Sequence, residues 1–366
     1  MSDSAPSTGR PAGRVFLVGH DPRREQFRRA FERGKLATSF LFVGSPGIGK
    51  RQFANWLAQG LLCAAYHEAQ AGNQGGTARS ELDPCGECRS CKMFMAETHP
   101  DLHVVEKPAD RSEFPVDLLI GTREHRMREG LLAELAIKPA VGQRKIAIID
   151  DADTLNEASA NCLLKTLEEP PLGSILILVA GSEQRQLPTI RSRCQIIRFD
   201  PLTTDQLMSV VERLALEAED ADLRAAVEQA RGSVQRLVDW LDPQLHEFRE
   251  QLGRHLETMD PTSDDFAKVL VQFVDSAGTE ARKRRRRLDR VIDLAVEHYR
   301  GWLGGDSSAT RPLPAPRIVD AIEVCLAAQT ALHANAHVTT LVESWLIELG
   351  QVLRGETLVE DSLARF

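Results

Sequence analysis

A glycine-rich segment near the start of the sequence has the residue types and spacing of a phosphate-binding loop. It fits the pattern G-x-x-x-x-G-K and is composed of Gly44-Ser45-Pro46-Gly47-Ile48-Gly49-Lys50. An apolar run at 40–43 precedes it and predicts a buried strand, and an amphipathic stretch at 52–62 follows it and predicts a helix. In that context, backbone N–H groups can surround a phosphate and the lysine ammonium can reach its terminal oxygens. The sequence therefore predicts a nucleotide site, with a plain strand-to-helix turn as the alternative.

The residues that would hold magnesium depart from those of a working ATPase. The position after the lysine normally carries a hydroxyl that binds Mg²⁺, but here it is Arg51, a cation with no acceptor atom. Asp150 follows a second predicted strand, 145–149, and is the carboxylate expected near the metal. Asp151 is one methylene shorter than the glutamate with which many such ATPases activate water. We therefore predict a site that can hold ATP or ADP but hydrolyses it poorly, formed by Gly44, Pro46, Gly47, Gly49, Lys50, Arg51, Asp150 and Asp151.

Three cysteines fall within seven residues, in the segment Cys85-Gly-Glu-Cys88-Arg-Ser-Cys91. The odd total of seven cysteines and the lack of an apolar signal segment at the start of the chain argue against a disulfide framework. Clustered reduced thiols indicate a metal, and zinc takes four ligands in a tetrahedron, so a fourth ligand must come from elsewhere. The alternatives are unliganded thiols or, less favoured, an iron–sulfur cluster. A site closed by four ligands would be structural, because no position is open for chemistry.

Length, composition and charge limit the class of protein. At about 150 residues per domain, 366 residues predict two or three domains. Hydrophobic content of 42% and charged content of 27% are typical of a soluble globular protein, and no apolar run approaches the ~20 residues of a membrane helix. We therefore expect a cytoplasmic protein without a membrane segment. The net charge of −8 argues against a free-standing DNA-binding module that works through its overall charge.

The order of the predicted elements indicates an α/β fold. A third apolar run, 174–180, joins the runs at 40–43 and 145–149, and helical patterns separate the three. Continuous apolar strands between helices predict a parallel sheet covered on both faces. After residue 201 the patterns are helical, which places domain boundaries near residues 200 and 243. Residues 1–12, which are rich in Ser, Pro and Gly, are expected to form a flexible N-terminus.

Three stretches together resemble bacterial DNA polymerase III clamp-loader subunits of the AAA+ class. They are the phosphate loop, the segment Asp150 to Pro171 with its ending Leu-Leu-Lys-Thr-Leu-Glu-Glu-Pro-Pro, and Leu187-Pro-Thr-Ile-Arg-Ser-Arg-Cys194. The resemblance covers essentially the whole chain and is strongest from about 18 to 199. It implies an AAA+ P-loop NTPase-like domain at 13–200 with a zinc module at 63–91, a small helical lid at 201–242, and a C-terminal all-helical collar for oligomerisation at 243–366.

The resemblance also implies roles for particular residues. In Ser192-Arg193-Cys194, the arginine is delivered in trans to the γ-phosphate of a neighbouring subunit, a role suited to a rigid and permanently charged guanidinium. Gln235 stands where active relatives carry the arginine that senses their own phosphate. The fourth metal ligand is implied to be Cys63, which gives a zinc site of Cys63, Cys85, Cys88 and Cys91, with His67, His99 and His103 as substitutes.

The function that the resemblance implies is that of a non-motor subunit of the DNA polymerase III clamp loader. Such a stator has no catalysis of its own and donates Arg193 to an adjacent motor during ATP-dependent loading of the sliding clamp on primed DNA. Its implied partners are gamma/tau-like motor subunits, a delta-like subunit, the sliding clamp and the polymerase III holoenzyme, with DNA contacted by the assembled complex. The alternative is a catalytically competent gamma/tau-like motor ATPase, which Arg51, Asp151 and Gln235 argue against.

Six consecutive cations occur at Arg282-Lys-Arg-Arg-Arg-Arg287. Such runs can bind nucleic acid, but consecutive residues on a helix spread around its axis instead of lining one face. A solvated run or a contact with an acidic partner subunit is the plainer interpretation, and DNA contact is the alternative.

Overall fold

The computed structural model describes residues 13–65, 82–108, 111, 113–216, 218–257, 264–304, 313–334 and 336–356. The chain divides into two compact units, one that runs to residue 237 and one from residue 238 on, with the short segment 108–112 assigned to the second. The predicted flexible terminus at 1–12 and the substitute ligand His67 lie outside the described residues.

The first unit alternates helices and strands from its beginning to β5 and is helical after that. Its elements are α1 (Asp21–Glu32), β1 (Ser39–Val43), α2 (Lys50–Leu62), α3 (Arg89–Met95), β2 (Leu102–Val105), α4 (Asp117–Ile120), α5 (Leu131–Ala136), β3 (Lys145–Ile149), α6 (Glu157–Glu168), β4 (Ser174–Ala180), α7 (Pro188–Arg191), β5 (Gln195–Arg198), α8 (Thr204–Leu214), α9 (Asp220–Gln229) and α10 (Val234–Trp240), the last of which continues into the second unit.

Five strands form one parallel sheet in the order β2-β3-β4-β1-β5. The strands β1, β3 and β4 are buried along their whole length, as expected for parallel strands covered on both faces. These are the three strands predicted from apolar runs, and the predicted α/β parallel-sheet fold is confirmed. The edge strands β2 and β5 were not predicted, because each has only four residues, includes polar side chains and is partly exposed. The carboxyl ends of β1, β3 and β4 meet at one edge, where the loops after them can form a site.

Side chains of the central strands alternate between two apolar cores, one on each face of the sheet. On one face, Phe42 of β1 packs against Phe27 of α1 and Phe53 of α2, with the rings of Phe42 and Phe53 centred 5.7 Å apart. On the other face, Leu41 belongs to an aliphatic core that includes Leu163 of α6. The first core holds α2, which begins at Lys50 of the predicted site, and the second core holds α6.

Replacing Phe53 by alanine is expected to destabilise the first unit by about 3–5 kcal/mol, the usual cost of emptying a buried phenylalanine site. The Phe53 ring is fully buried, and its centroid lies 5.1 Å from that of Trp56 and 5.0 Å from that of Phe199. Urea unfolding followed by circular dichroism measures the change. Leu172→Ala is the control, because Leu172 is 100% exposed and should change stability by no more than about 0.5 kcal/mol. Equal effects of the two substitutions would contradict the packing described.

The second unit is helical in the part of the chain described. Its helices are α11 (Pro243–Glu257), α12 (Asp264–Asp275), α13 (Ala281–Gly304), α14 (Ala315–His333) and α15 (Val338–Arg354). They share one apolar core, in which Trp345 and Tyr299 are the largest fully buried side chains. Among the described helices of both units, none is both long and apolar enough to cross a bilayer.

The basic run lies in the first two turns of α13, and its described cations are held by the second unit itself. The contacts of five of them are Lys283 with Glu280 (2.8 Å), Arg284 with Asp275 (3.2 Å), Arg285 with the carbonyl oxygen of Leu332 (3.0 Å), Arg286 with Asp239 (2.9 Å) and Arg287 with Asp242 (3.4 Å). Their partners come from α10, α12, α14 and the connecting turns. These internal contacts favour a packing role for the run over a DNA-binding one.

Candidate functional site

The phosphate loop connects β1 to α2, beside the carboxyl end of β4. Gly49, the residue before α2, has a φ of 98°, in the left-handed region that glycine tolerates best. Lys50 is only 7% exposed, and its Nζ donates hydrogen bonds to the carbonyl oxygens of Gly44 and Ser45 at 2.6 and 2.7 Å. Burial lowers the pKa of Lys50, and nearby carboxylates oppose that change. The ammonium is thus held over the loop, close to where a phosphate would lie.

Arg51 and Asp150 form an ion pair at the position where a metal would bind. The Arg51 Nη1 and Asp150 Oδ2 atoms are 2.5 Å apart. The other carboxylate oxygen, Oδ1, accepts the backbone N–H of Asp151 at 3.0 Å. Both oxygens of Asp150 are therefore engaged, and a cation replaces the usual hydroxyl. Because Mg²⁺ needs free oxygen ligands and would have to displace the guanidinium, it does not fit these residues.

Asp153 lies at the same edge of the sheet and was not among the residues predicted from the sequence. It lies in the short 3₁₀ turn Ala152–Thr154 that follows β3. Its carboxylate accepts the backbone N–H groups of Gly181 and Ser182, which follow β4, and the side-chain amide of Gln186. Asp153 thus ties the ends of two neighbouring strands together. Its only sequence signal is an acidic side chain three residues after Asp150.

The segment before α10 packs directly on the phosphate loop. The Ser233 hydroxyl donates to the carbonyl oxygen of Pro46 at 3.0 Å, and the Val234 N–H donates to the carbonyl oxygen of Gly47 at 3.0 Å. A Cβ at Gly47, where φ is 76°, would collide with Ser233 and Gln235, so only glycine allows this approach. Gln235 therefore lies beside the phosphate loop, the place where the resemblance puts a sensor arginine in active relatives.

Arg193 follows α7 and pairs with Glu168, the last residue of α6. The Arg193 Nε donates to Glu168 Oε1 at 2.6 Å, and Nη2 approaches the same oxygen. The next residue, Cys194, is buried, and burial raises the pKa of its thiol to about 12. Cys194 thus anchors the chain as a small apolar side chain, while Arg193 remains 30% exposed.

The four cysteines named from the sequence come together into one cluster. Their Sγ atoms all lie within 4.8 Å of one another, and the pairs Cys63–Cys88 and Cys85–Cys91 are each 3.9 Å apart. A tetrahedral site with metal–sulfur bonds of ~2.3 Å has its sulfurs about 3.8 Å apart. The four residues therefore fit a structural metal ion. Cys63 comes from the end of α2, and the other three come from the loop before α3 and from its first turn.

Hydrogen bonds within the cluster shift the pKa values of its thiols in opposite directions, down for Cys88 and up for Cys63 and Cys91. Backbone N–H groups of Cys85, Cys88 and Cys91 donate to sulfurs of the cluster at 3.3–3.4 Å. Hydrogen bonds from Cys63 and Cys91 lower the pKa of Cys88. The hydrogen bond with Cys88 in turn raises the pKa of Cys63 to about 11.

The two described histidines considered as substitute ligands have other surroundings. The Nε2 of His99 forms a hydrogen bond with the Ser90 hydroxyl at 2.7 Å, and its Nδ1 accepts the backbone N–H of Asp101 at 3.1 Å. His103 lies on the edge strand β2. The ligand atom that joins the three clustered sulfurs is therefore that of Cys63.

Comparison with known proteins places the chain among replication proteins. A family model described as DNA polymerase III, delta subunit, matches residues 19–203, half of the chain. The DNA polymerase III subunit delta' of Pseudomonas aeruginosa is 36% identical over 44% of this chain and 43% of that protein. The tau/gamma subunit of Haemophilus influenzae is 31% identical over 78% of this chain and 38% of that protein. The matches thus span less than half the length of these two relatives.

A solved structure shows a weaker likeness. It is that of a DNA polymerase III gamma subunit-related protein from Thermotoga maritima, which is 14% identical to this chain, covers 90% of this chain and 99% of that one, and has a TM-score of 0.43.

A parallel sheet with a phosphate loop after β1 and acidic residues after β3 defines a P-loop protein. Within that class, the chain belongs to the DNA polymerase III delta' subunit family. The resemblance to clamp-loader subunits predicted from three stretches of sequence is confirmed.

Proposed function

We propose that this chain is the non-motor, delta'-type subunit of a DNA polymerase III clamp loader. It helps an ATP-driven hetero-oligomer of gamma/tau-like motors and a delta-like subunit to open the sliding clamp and place it on primed DNA for the polymerase. In this proposal, 13–200 forms the nucleotide-binding-like domain, 201–242 the lid, and 243–366 the collar through which the ring assembles. Family membership and the pattern of departures from a working ATPase site support it.

The observation that carries the proposal is the ion pair between Arg51 and Asp150. In a motor subunit, a hydroxyl and a carboxylate at these two positions hold Mg²⁺, which neutralises charge on the phosphates during transfer. Here the Asp150 carboxylate is already paired with the Arg51 guanidinium, which is covalently part of the protein and cannot be exchanged as a free ion can. A nucleotide held by Lys50 and the loop glycines would therefore lack the metal, and Asp151 is too short to replace the usual glutamate.

The second part of the proposal assigns Arg193 to a neighbour's γ-phosphate. The side chain is 30% exposed, and its guanidinium is a rigid donor fork that matches phosphate oxygens. A phosphate-sensing arginine has little use at a site that does not hydrolyse its own nucleotide. Presented to an adjacent motor, it would stabilise negative charge that develops in the transition state.

Four cysteines at tetrahedral spacing support a structural zinc ion. Cys63, Cys85, Cys88 and Cys91 would hold it with all four positions filled, so the ion would serve folding and not chemistry. Zinc would join the end of α2 to the loop before α3 and so fix the position of that loop. The 16 residues between the two segments, 66–81, lie outside the described part of the chain.

One alternative has an observation in its favour. The Haemophilus influenzae tau/gamma subunit matches more of this chain than the Pseudomonas delta' protein does, and Lys50 and the loop glycines are intact. A gamma/tau-like motor would also use Lys50 and the loop glycines to bind the phosphates of ATP. Arg51, Asp151 and Gln235 argue against that alternative, because each replaces a group that a motor needs for metal, water or phosphate.

The isolated chain is expected to turn over ATP at less than about 0.1 s⁻¹, a tenth of the lower end of ordinary kcat values. Release of inorganic phosphate measures the rate, first for the chain alone and then for the chain assembled with its motor partners. Lys50→Ala is the control for contaminating activity. Turnover near 1 s⁻¹ by the chain alone, abolished by Lys50→Ala, would instead identify a motor.

A further inference from the structure

The guanidinium of Arg193 uses all three of its nitrogens within its own chain. Its Nε and Nη2 face Glu168, with the Nε–Oε1 distance at 2.6 Å. Its Nη1 donates to the carbonyl oxygen of Thr189 at 3.0 Å and to the Ser192 hydroxyl at 3.3 Å. A guanidinium has five N–H donors in a fixed plane. A phosphate that approaches in the same plane must therefore compete for donors that are already engaged.

Glu168 is the one anion among these partners, and its position is fixed by the fold. It ends α6, and the residue before that helix, Asn156, caps its start by accepting the backbone N–H of Ser159 at 2.9 Å. The apolar side of α6 is buried in the aliphatic core through Leu163 and Leu167. The carboxylate is half exposed, so solvent screens its pair with Arg193 and keeps that pair weak enough to be broken.

We propose that Glu168 is a positioning residue that holds Arg193 in a resting position until a neighbour's γ-phosphate takes its place. This inference rests on the proposed trans role of Arg193. The phosphate carries more negative charge than a carboxylate, and two of its tetrahedrally arranged oxygens can accept the same paired N–H donors of the guanidinium. Glu168 therefore opposes engagement, and removing its charge shifts the arginine toward the neighbouring site.

The test uses the assembled complex with full-length chain, assayed at limiting ATP without clamp or DNA. Glu168→Gln keeps an acceptor of the same size but removes the charge, and kcat/KM for ATP is expected to rise two- to fivefold, the range of a surface ion pair. The ratio between variant and unmodified complex should fall toward one in 0.5 M salt, because the lost pair is screened there. Glu168→Ala should raise kcat/KM at least as much. Glu169→Gln, an exposed neighbour on the same helix end, is the matched control and should leave it unchanged.

A double variant separates this proposal from the one on which it rests. Glu168→Gln should have no effect when Arg193 is already alanine, because Glu168 acts only through that side chain. If Arg193→Ala slows the complex but Glu168→Gln leaves or lowers kcat/KM, the resting role of Glu168 is wrong and the trans arginine stands. If Arg193→Ala changes nothing, both are wrong. A Glu168 effect that persists without Arg193, or that is equal at low and high salt, also overturns the resting role.

Discussion

Arg193→Ala is expected to slow clamp- and DNA-stimulated ATP hydrolysis at the neighbouring motor site by about tenfold or more, with a matching loss of clamp loading. Trans arginines contribute about 10³ to 10⁵ in rate where they have been measured, so tenfold is a modest requirement. Negative charge on the γ-phosphate oxygens develops in the transition state. A guanidinium beside these oxygens therefore stabilises the transition state more than the bound ATP and lowers the barrier to hydrolysis. Hydrolysis and clamp loading by the assembled complex are the two measurements.

Replacing Arg193 by lysine separates the effect of the positive charge from the effect of the guanidinium geometry. Arg193→Lys should restore only part of the lost rate, because an ammonium lacks the planar fork that engages two oxygens at once. Arg185→Ala is the matched control, since Arg185 is an exposed arginine in the preceding loop. Folding and metal content should be unchanged in all three variants. An assembled complex with Arg193→Ala that hydrolyses ATP and loads clamps at the unmodified rate would refute the trans role.

Loss of the metal site is expected to have the largest effect on folding. The chain purified without added metal should contain about one zinc per molecule, because four thiolates at tetrahedral spacing bind it tightly. Cys88→Ser should bring the content below ~0.3 and destabilise the first unit by several kcal/mol, since structural zinc sites contribute about 10–16 kcal/mol in small zinc-finger peptides. Elemental analysis and thermal unfolding measure the two effects.

A second cysteine provides the control. Cys162 lies on α6, outside the sulfur cluster, so Cys162→Ser should keep the full zinc content. The unmodified protein should also protect the four clustered thiols from a thiol reagent until a chelator is added. Less than about 0.3 zinc per chain in the unmodified protein, with all clustered thiols reacting freely, would contradict the zinc assignment.

The sequence alone was enough for the fold class, and it named most residues of the candidate site, whose roles stay predictions. Continuous apolar runs identified β1, β3 and β4, because a strand buried on both faces is apolar at nearly every position. The same reasoning failed for β2 and β5, which lie at the sheet edges. Their four residues include His103, Gln195 and Arg198, and only pairing with a buried neighbour makes them strands.

Residue identity at fixed spacing also carried the chemical predictions. The pattern around Lys50 and the cation at Arg51 follow from local chain order, since a phosphate loop is a contiguous segment. The family resemblance supplied what spacing could not, namely Cys63 as a candidate ligand and a role for Arg193. Neither prediction depended on distances, because each motif is defined by residue type.

Only the tertiary structure determined which side chains these residues contact. Arg51 and Asp150 are 99 positions apart, and the sheet order brings the ends of β1 and β3 close enough for an ion pair. Glu168 contacts Arg193 because α6 and α7 end side by side. Asp153 contacts the loop after β4 because β3 and β4 are neighbours in the sheet. Contacts between distant segments depend on how helices and strands pack. One-dimensional patterns specify which elements form, but the shared core fixes which side chains meet.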